Sequence, residues 1–293
     1  MLVQRFAYLA LVGGLWAVRS MSVERVLTMW ALAVLGSVAL SGSWIWIRSQ
    51  PAAIDMRTLT TQWTSNVKKG VRALVTISVT LVLVRCDVWM LGPILGVQAV
   101  GQVSIASSLA EWLWYVPSIL GNLLFAAAAA GTGDHTVRQI TRASRAVVTL
   151  VVPTTVVLML LGRHVVPLIY GEAFRPAGTL FVILLPGMAA VAIHLVVDAY
   201  FSGKGFPPIS VWSAIGALVA KVGLNVLVIH KYGMVGAVAV TSTVYIGLLG
   251  VKLVAFAWET GTSPRAVLVP RWDELLGNIA AARSWVLGRL RAA

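Results

Sequence analysis

The chain has 293 residues, of which 59% are hydrophobic and 11% are charged, and its net charge at pH 7 is +13. Soluble domains carry about 25% charged residues, so this composition indicates a polytopic membrane protein. The basic excess is better explained by the cytoplasmic loops of a membrane protein than by a nucleic-acid partner. The single cysteine, Cys86, excludes an internal disulfide and a cysteine-based metal site.

Eight apolar runs follow one another along the chain, and we interpret each of them as a membrane-spanning helix. The first is short for a span, which needs about 20 residues. It also resembles the core of a signal peptide, but no small-residue cleavage pattern follows it. The runs cover residues 8–18, 26–47, 71–91, 103–130, 146–161, 180–200, 209–229 and 237–258. The predicted fold class is an all-α polytopic membrane protein with about eight transmembrane helices.

Polar connections set the predicted domain boundaries. Residues 48–70 form the longest internal connection, which we interpret as a cytoplasmic linker between residues 1–47 and a six-helix segment, residues 71–258. The tail, residues 259–293, is basic and has apolar residues at roughly helical spacing. These are Trp272, Leu275, Leu276, Ile279, Val286 and Leu290. The tail is predicted to be an amphipathic helix on an anionic membrane face, with a disordered segment as the alternative.

The distribution of lysine and arginine predicts the orientation, because cytoplasmic loops carry an excess of positive charge. Connections on the side of the N-terminus carry fourteen basic residues, and the opposite connections carry five. The fourteen are Arg5, Arg48, Arg57, Lys68, Lys69, Arg138, Arg142, Arg145, Lys204, Arg265, Arg271, Arg283, Arg289 and Arg291. The five are Arg19, Arg25, Arg163, Arg175 and Lys231. Both termini are therefore predicted to be cytoplasmic.

Ionisable residues inside the spans are the candidate functional residues, because charge in hydrocarbon is costly and is retained where it is used. The third and fourth spans carry Arg85, Asp87 and Glu111. Arg85 and Glu111 are expected at compatible depths for an ion pair, while Asp87, two residues from Arg85, faces elsewhere. For Arg85 a cavity-lining role and a structural salt bridge stay equally open, and for Asp87 we favour a structural role.

Two further pairs have the four-residue spacing that places side chains on one helical face. Lys221 and Asn225 lie in the middle of the seventh span and are predicted to line a cavity that accepts phosphate. His194 and Asp198 could form an ion or proton relay, although a local hydrogen bond is the favoured interpretation. Lys252 lies near the cytoplasmic end of its span, where its ammonium is expected to snorkel into water.

Motifs of enzymes are not recognisable in the sequence. The histidines are scattered and have no metal-ligand spacing. Neither a nucleophile elbow nor a phosphate-binding glycine loop is present. The sequence therefore predicts neither an enzyme nor a cofactor.

Four stretches stand in a characteristic order over residues 69–256. They are VRCD at 84–87 with MLG at 90–92; YGEAFRPA at 170–177 with LLPG at 184–187; YFSGKG at 200–205 with Pro207; and LN at 224–225 with YGMVGAVAVTS at 232–242. Together they resemble the polysaccharide and oligosaccharide flippases of the multidrug/oligosaccharidyl-lipid/polysaccharide exporter superfamily.

This resemblance implies two six-helix lobes around a central cavity that opens alternately to each side of the bacterial inner membrane. Residues 71–258 resemble a complete second lobe. Residues 1–47 resemble the last two helices of a first lobe, whose first four helices are absent. An upstream extension, a natural fragment and a partner chain that supplies the missing helices are the alternatives.

The function that the resemblance implies is translocation of a polyprenyl-diphosphate-linked oligosaccharide for surface polysaccharide biosynthesis. The expected partners are membrane lipid, the lipid-linked glycan and other membrane proteins of polysaccharide assembly, but no nucleic acid. The candidate substrate contacts are Arg85, Glu111, Lys221 and Asn225. A drug or cation antiporter of the same superfamily, and a membrane subunit that does not transport, are the alternatives.

Overall fold

The computed structural model describes residues 23–48, 56–131 and 133–270, with the backbone alone for some residues between 23 and 61. This part of the chain is helical and has no strand. Five of its helices are long and apolar enough to cross a membrane, which confirms the predicted all-α membrane class. The count of eight spans stays a prediction. The predicted first span and the amphipathic helix of the tail lie outside the described residues.

Seven helices and one short 3-10 turn make up the described part of the chain. The helices are α1 (Val23–Arg48), α2 (Met56–Ala110), α3 (Trp112–Ala130), α4 (Asp134–Tyr170), α5 (Arg175–Gly203), α6 (Pro208–Thr260) and α7 (Pro264–Leu268), and the turn is Glu172–Phe174. The chain divides into two compact units, Met1–Gln62 and Trp63–Ala293. This division falls inside the predicted linker, of which residues 56–70 form the first turns of α2. The predicted domain boundaries themselves stay predictions.

Two of the long helices are hairpins, because residues before and after one glycine approach each other. An ideal Cβ on Gly92 would lie 3.7 Å from Val100, and one on Gly236 would lie 2.5 Å from Val228. Gly96 in α2 has φ 82° and ψ 174°, and Gly233 in α6 has φ 57° and ψ −141°. Glycine adopts positive φ without a side-chain clash. We call the segments before and after Gly96 α2a (56–95) and α2b (97–110). The segments before and after Gly233 are α6a (208–232) and α6b (234–260).

Helix α5 lies at the centre of the second unit and packs against α3, α4 and α6. Small residues allow these helices to approach closely. An ideal Cβ built on Gly187 would lie 2.5 Å from the Cα atom of Ser242, and one on Gly203 would overlap Ala128. Close backbone approach at glycine and other small residues is the usual packing mode of membrane helices.

The turns of the second unit gather at two ends. At the first end, the turn at Gly96 lies beside the α4–α5 connection and beside the turn at Gly233. Gln102 donates a hydrogen bond to the carbonyl of Ala173 (2.8 Å) and accepts one from the amide of Ala177 (3.1 Å). An ideal Cβ on Gly233 would lie 3.9 Å from Leu95. We call this the Gly96 end.

At the opposite end, which we call the Lys204 end, the connections are held by polar contacts. Lys204 forms an ion pair with Glu259 at the end of α6b. Arg145 of α4 donates a hydrogen bond to the carbonyl of Ala266 in α7 (3.0 Å). The start of the predicted tail is therefore docked on the bundle.

Candidate functional site

Three ion pairs join the long helices of the second unit, and the first is centred on Asp87 of α2a. Its carboxylate accepts hydrogen bonds from Lys221 Nζ (2.7 Å), Asn225 Nδ2 (2.9 Å) and Thr241 Oγ1 (2.8 Å). The Lys221 ammonium also lies 5.3 Å from the centre of the Tyr245 ring. We call these five residues the Asp87 network.

The Asp87 network is closed to solvent. Lys221 and Asn225 are fully buried, and Asp87 is 7% exposed. Lys221 Nζ donates a second hydrogen bond to the carbonyl of Leu83 (2.8 Å), so its charge is neutralised and solvated by the protein. This geometry corresponds to the structural role favoured for Asp87. In this conformation Lys221 and Asn225, predicted to line a cavity, face Asp87 instead.

A second network lies near the Lys204 end and is centred on Asp198 of α5. Asp198 accepts from Lys252 Nζ (2.6 Å) and from Ser202 Oγ (3.1 Å), and Lys252 donates also to Ser210 Oγ (2.9 Å). Lys252 is 2% exposed. The expectation that Lys252 snorkels into water is therefore wrong, because the Asp198 carboxylate on the neighbouring helix holds its ammonium inside the bundle. We call these four residues the Asp198 network.

His194 lies one turn before Asp198 on α5, but the structure does not join the two by a hydrogen bond. The Asp198 carboxylate takes Lys252 and Ser202 as partners. Nδ1 of His194 is buried and has no hydrogen-bond partner within the described residues. The favoured local hydrogen bond is therefore not formed, and the relay through these two residues stays a prediction.

The third ion pair confirms the expected contact between Arg85 and Glu111. Nη1 of Arg85 lies 3.5 Å from Oε1 of Glu111, which connects α2b to α3. Unlike the two buried networks, this pair reaches the surface, because the Arg85 side chain is 54% exposed. Trp89, one turn beyond Arg85, and Trp112, next to Glu111, are 62% and 72% exposed. We call this surface of Arg85, Glu111, Trp89 and Trp112 the Arg85 face.

The Arg85 face lies deep in the predicted membrane. Arg85 precedes the Gly96 turn by eleven residues of helix, which corresponds to about 16 Å along the axis. The predicted span ends at residue 91, so Arg85 is expected about 9 Å inside the boundary of the hydrocarbon core, which is about 30 Å thick. A charged side chain that faces lipid there costs at least about 2.5–3.5 kcal/mol. The Arg85 face is therefore expected to contact water or protein.

The sequence analysis missed the serines of the Asp198 network and the hydroxyl and aromatic members of the Asp87 network. Asn225 and Thr241 each lie eight residues from Gly233, and Lys221 and Tyr245 each lie twelve residues from it. Residues at equal distances from a tight turn lie side by side in an antiparallel hairpin. This equal spacing could have identified Thr241 and Tyr245 once Gly233 was recognised as the turn.

Comparison of the chain with protein-family models and with curated proteins finds no match. Within the described residues, no group of three or more histidine, cysteine, aspartate or glutamate side chains could hold a metal ion. Function is therefore inferred from the geometry of the Arg85 face and from the sequence motifs.

Proposed function

We propose that this protein translocates a polyprenyl-diphosphate-linked oligosaccharide across the bacterial inner membrane by alternating access, with its termini in the cytoplasm. The proposal rests on the order of motifs over residues 69–256 and on the Arg85 face. The long apolar helices support a place in the membrane.

The half-exposed guanidinium of Arg85 is the observation that carries the proposal. It lies within the predicted span and has one carboxylate contact, at Nη1, out of five N–H donors. A guanidinium matches the oxygens of a phosphate group in pairs, so the remaining donors suit a diphosphate that passes along a water-filled path. Glu111 holds Arg85 in place until the substrate arrives.

The two buried networks have a different role in this proposal. The Asp87 network links α2a to α6a and α6b, and the Asp198 network links α5 to α6. Alternating access requires a helix bundle that moves as one body. Separating the partners of a buried ion pair is costly, so these contacts keep the helices together. A substrate would reach Lys221 or Asn225 only after these helices separate.

The test uses the full chain in proteoliposomes with a fluorescent polyprenyl-diphosphate oligosaccharide. Transport is measured as the fraction of label that becomes accessible to a membrane-impermeant quencher. We expect wild-type protein to transport the lipid and Arg85→Gln to be at least about tenfold slower, because a charge-assisted contact to the diphosphate is lost. Arg138→Gln, at an exposed arginine in the first turns of α4, is the matched control and should transport normally.

Two outcomes would contradict the proposal. One is wild-type transport no faster than in protein-free liposomes, and the other is an Arg85→Gln rate equal to that of the control. The antiporter alternative predicts export of a cationic dye instead. The subunit alternative predicts no transport of either probe, because the Arg85 face would then be covered by another protein.

A further inference from the structure

A second basic site lies at the Gly96 end, and none of its residues belongs to the Arg85 face. It is a pocket of about 550 Å³ between the last turns of α4 and the first turns of α5. Its polar lining includes Arg163, His164, Glu172, Arg175 and Thr179. Sites for small ligands have volumes of about 300–1,000 Å³, so the pocket is large enough for a lipid headgroup.

The pocket is arranged for an anion. Nε and Nη2 of Arg175 donate to the two carboxylate oxygens of Glu172 (2.8 and 3.0 Å), an exposed ion pair that orients the guanidinium and leaves Nη1 outside the pair. Arg163 forms no ion pair within the described residues. The lining thus contains two arginines and one carboxylate, which gives it a net positive charge. Guanidinium groups bind phosphate oxygens with strong charge-assisted hydrogen bonds.

The depth of the pocket favours a lipid as the source of that anion. Arg163 lies two residues beyond the predicted span 146–161, which is about 3 Å along the helix. Arg175 is the first residue of α5. The pocket therefore lies at the level of the headgroups, which extend about 5–8 Å beyond each face of the hydrocarbon core.

The surface next to the pocket is apolar and uncovered. Leu168, which lines the pocket, is 85% exposed, and Leu160 and Leu161 on the same helix are 72% and 51% exposed. A phospholipid could bind its phosphate in the pocket and lay its acyl chains along these residues. A free phosphate ion would make no use of this surface.

We propose that this pocket binds the phosphate of an anionic phospholipid, with Arg163 and Arg175 as the phosphate contacts. His164 and Thr179 are placed for hydrogen bonds to the hydroxyl groups of the headgroup. Glu172 is a positioning residue, because it holds Arg175. The bound lipid would fix the α4–α5 turn in the headgroup layer. This inference does not depend on the proposed transport activity.

The experiment measures lipid retention by native mass spectrometry of the full chain, extracted from nanodiscs that contain phosphatidylcholine and phosphatidylglycerol. We expect wild-type protein to retain phosphatidylglycerol, and Arg163→Gln to lower retention about fivefold, since each basic residue near a membrane surface contributes on this scale. Arg138→Gln, an exposed arginine at the other end of α4, is the matched control and should retain lipid as wild type does.

Two further measurements separate the remaining explanations: lipid retention by the Arg163→Lys variant, and competition by inorganic phosphate. Arg163→Lys keeps the charge and should retain more phosphatidylglycerol than Arg163→Gln. Equal retention by Arg163→Gln and Arg138→Gln would overturn the proposal. It would also be overturned if inorganic phosphate at millimolar concentration displaced phosphatidylglycerol from wild-type protein, because the pocket would then be a site for free phosphate. Arg163 has no ion pair to lose, so its variants are expected to fold.

Discussion

Lysine side chains within the membrane-spanning helices are accommodated by carboxylates on other helices. Lys221 and Lys252 lie on the two segments of α6, and each is almost completely buried. Asp87 neutralises the first and Asp198 the second. Removal of one member of a buried ion pair leaves an uncompensated charge, which costs more than the pair itself contributes. The side chains of these pairs should therefore be individually indispensable for stability.

Lys221→Met tests this expectation. The variant leaves the Asp87 carboxylate buried without its cation, and we expect a loss of about 3–5 kcal/mol in the free energy of unfolding. Thermal unfolding in detergent micelles measures the effect. The double variant Asp87→Asn/Lys221→Met removes both charges and should recover part of the loss. Lys231→Met, at an exposed lysine on α6a, is the control, with an expected change within about 0.5 kcal/mol. Equal melting temperatures for Lys221→Met and the control would contradict the expectation.

The sequence predicts the charged residues of these networks as candidates, but it does not predict which of them contact one another. Arg85 and Glu111 flank one predicted turn, so their common depth could be counted along the helices. Asp87 and Lys221 are 134 residues apart, and their contact depends on how α6 packs against α2a, which periodicity alone does not determine. The contact of Lys252 with Asp198 is not predictable from the sequence, because Asp198 lies on another helix whose orientation about its own axis the sequence does not fix.

The helical hairpins of α2 and α6 depend on one glycine each. An ideal Cβ on Gly96 meets no atom within 4 Å, so any cost of a side chain there comes from backbone strain and not from packing. Its combination of φ 82° with ψ 174° lies in a region that is essentially restricted to glycine. The apolar runs predict a connection between residues 91 and 103, but they do not show that a single residue makes the reversal.

Gly96→Ala should therefore destabilise the protein by about 1–3 kcal/mol, the usual cost of holding a non-glycine residue in such a conformation. Gly101→Ala is the matched control, because Gly101 lies within α2b, has helical geometry and also has open space around an added Cβ. Alanine stabilises a helix interior relative to glycine, so this control should be neutral or stabilising by up to about 1 kcal/mol. Thermal unfolding of both variants measures the difference in stability. A Gly96→Ala variant as stable as the control would refute the explanation by backbone strain.

Charge is distributed unequally between the two ends of the second unit. The Lys204 end and the helical segments that lead to it carry Lys68, Lys69, Arg138, Arg142, Arg145, Lys204 and Arg265. The Gly96 end carries Arg163, Arg175 and Lys231. Contacts between the turns now show which connections share an end, so the charge bias can be assigned to a surface of the folded unit. The positive-inside rule then predicts that the Lys204 end is cytoplasmic and the Gly96 end is outside.

Cysteine labelling in intact cells tests this orientation of the whole molecule. Cys86 is the only cysteine in the chain, and it is buried, so Cys86→Ser provides a cysteine-free background. In that background, Glu172→Cys places a thiol at the exposed Gly96 end, and Asp134→Cys places one at the start of α4 near the Lys204 end. A membrane-impermeant maleimide should label the Glu172→Cys variant in intact cells and the Asp134→Cys variant only after permeabilisation, because charge holds the Lys204 end in the cytoplasm. The reverse labelling pattern would show that the basic end faces outward, and it would also move the proposed phospholipid pocket to the cytoplasmic leaflet.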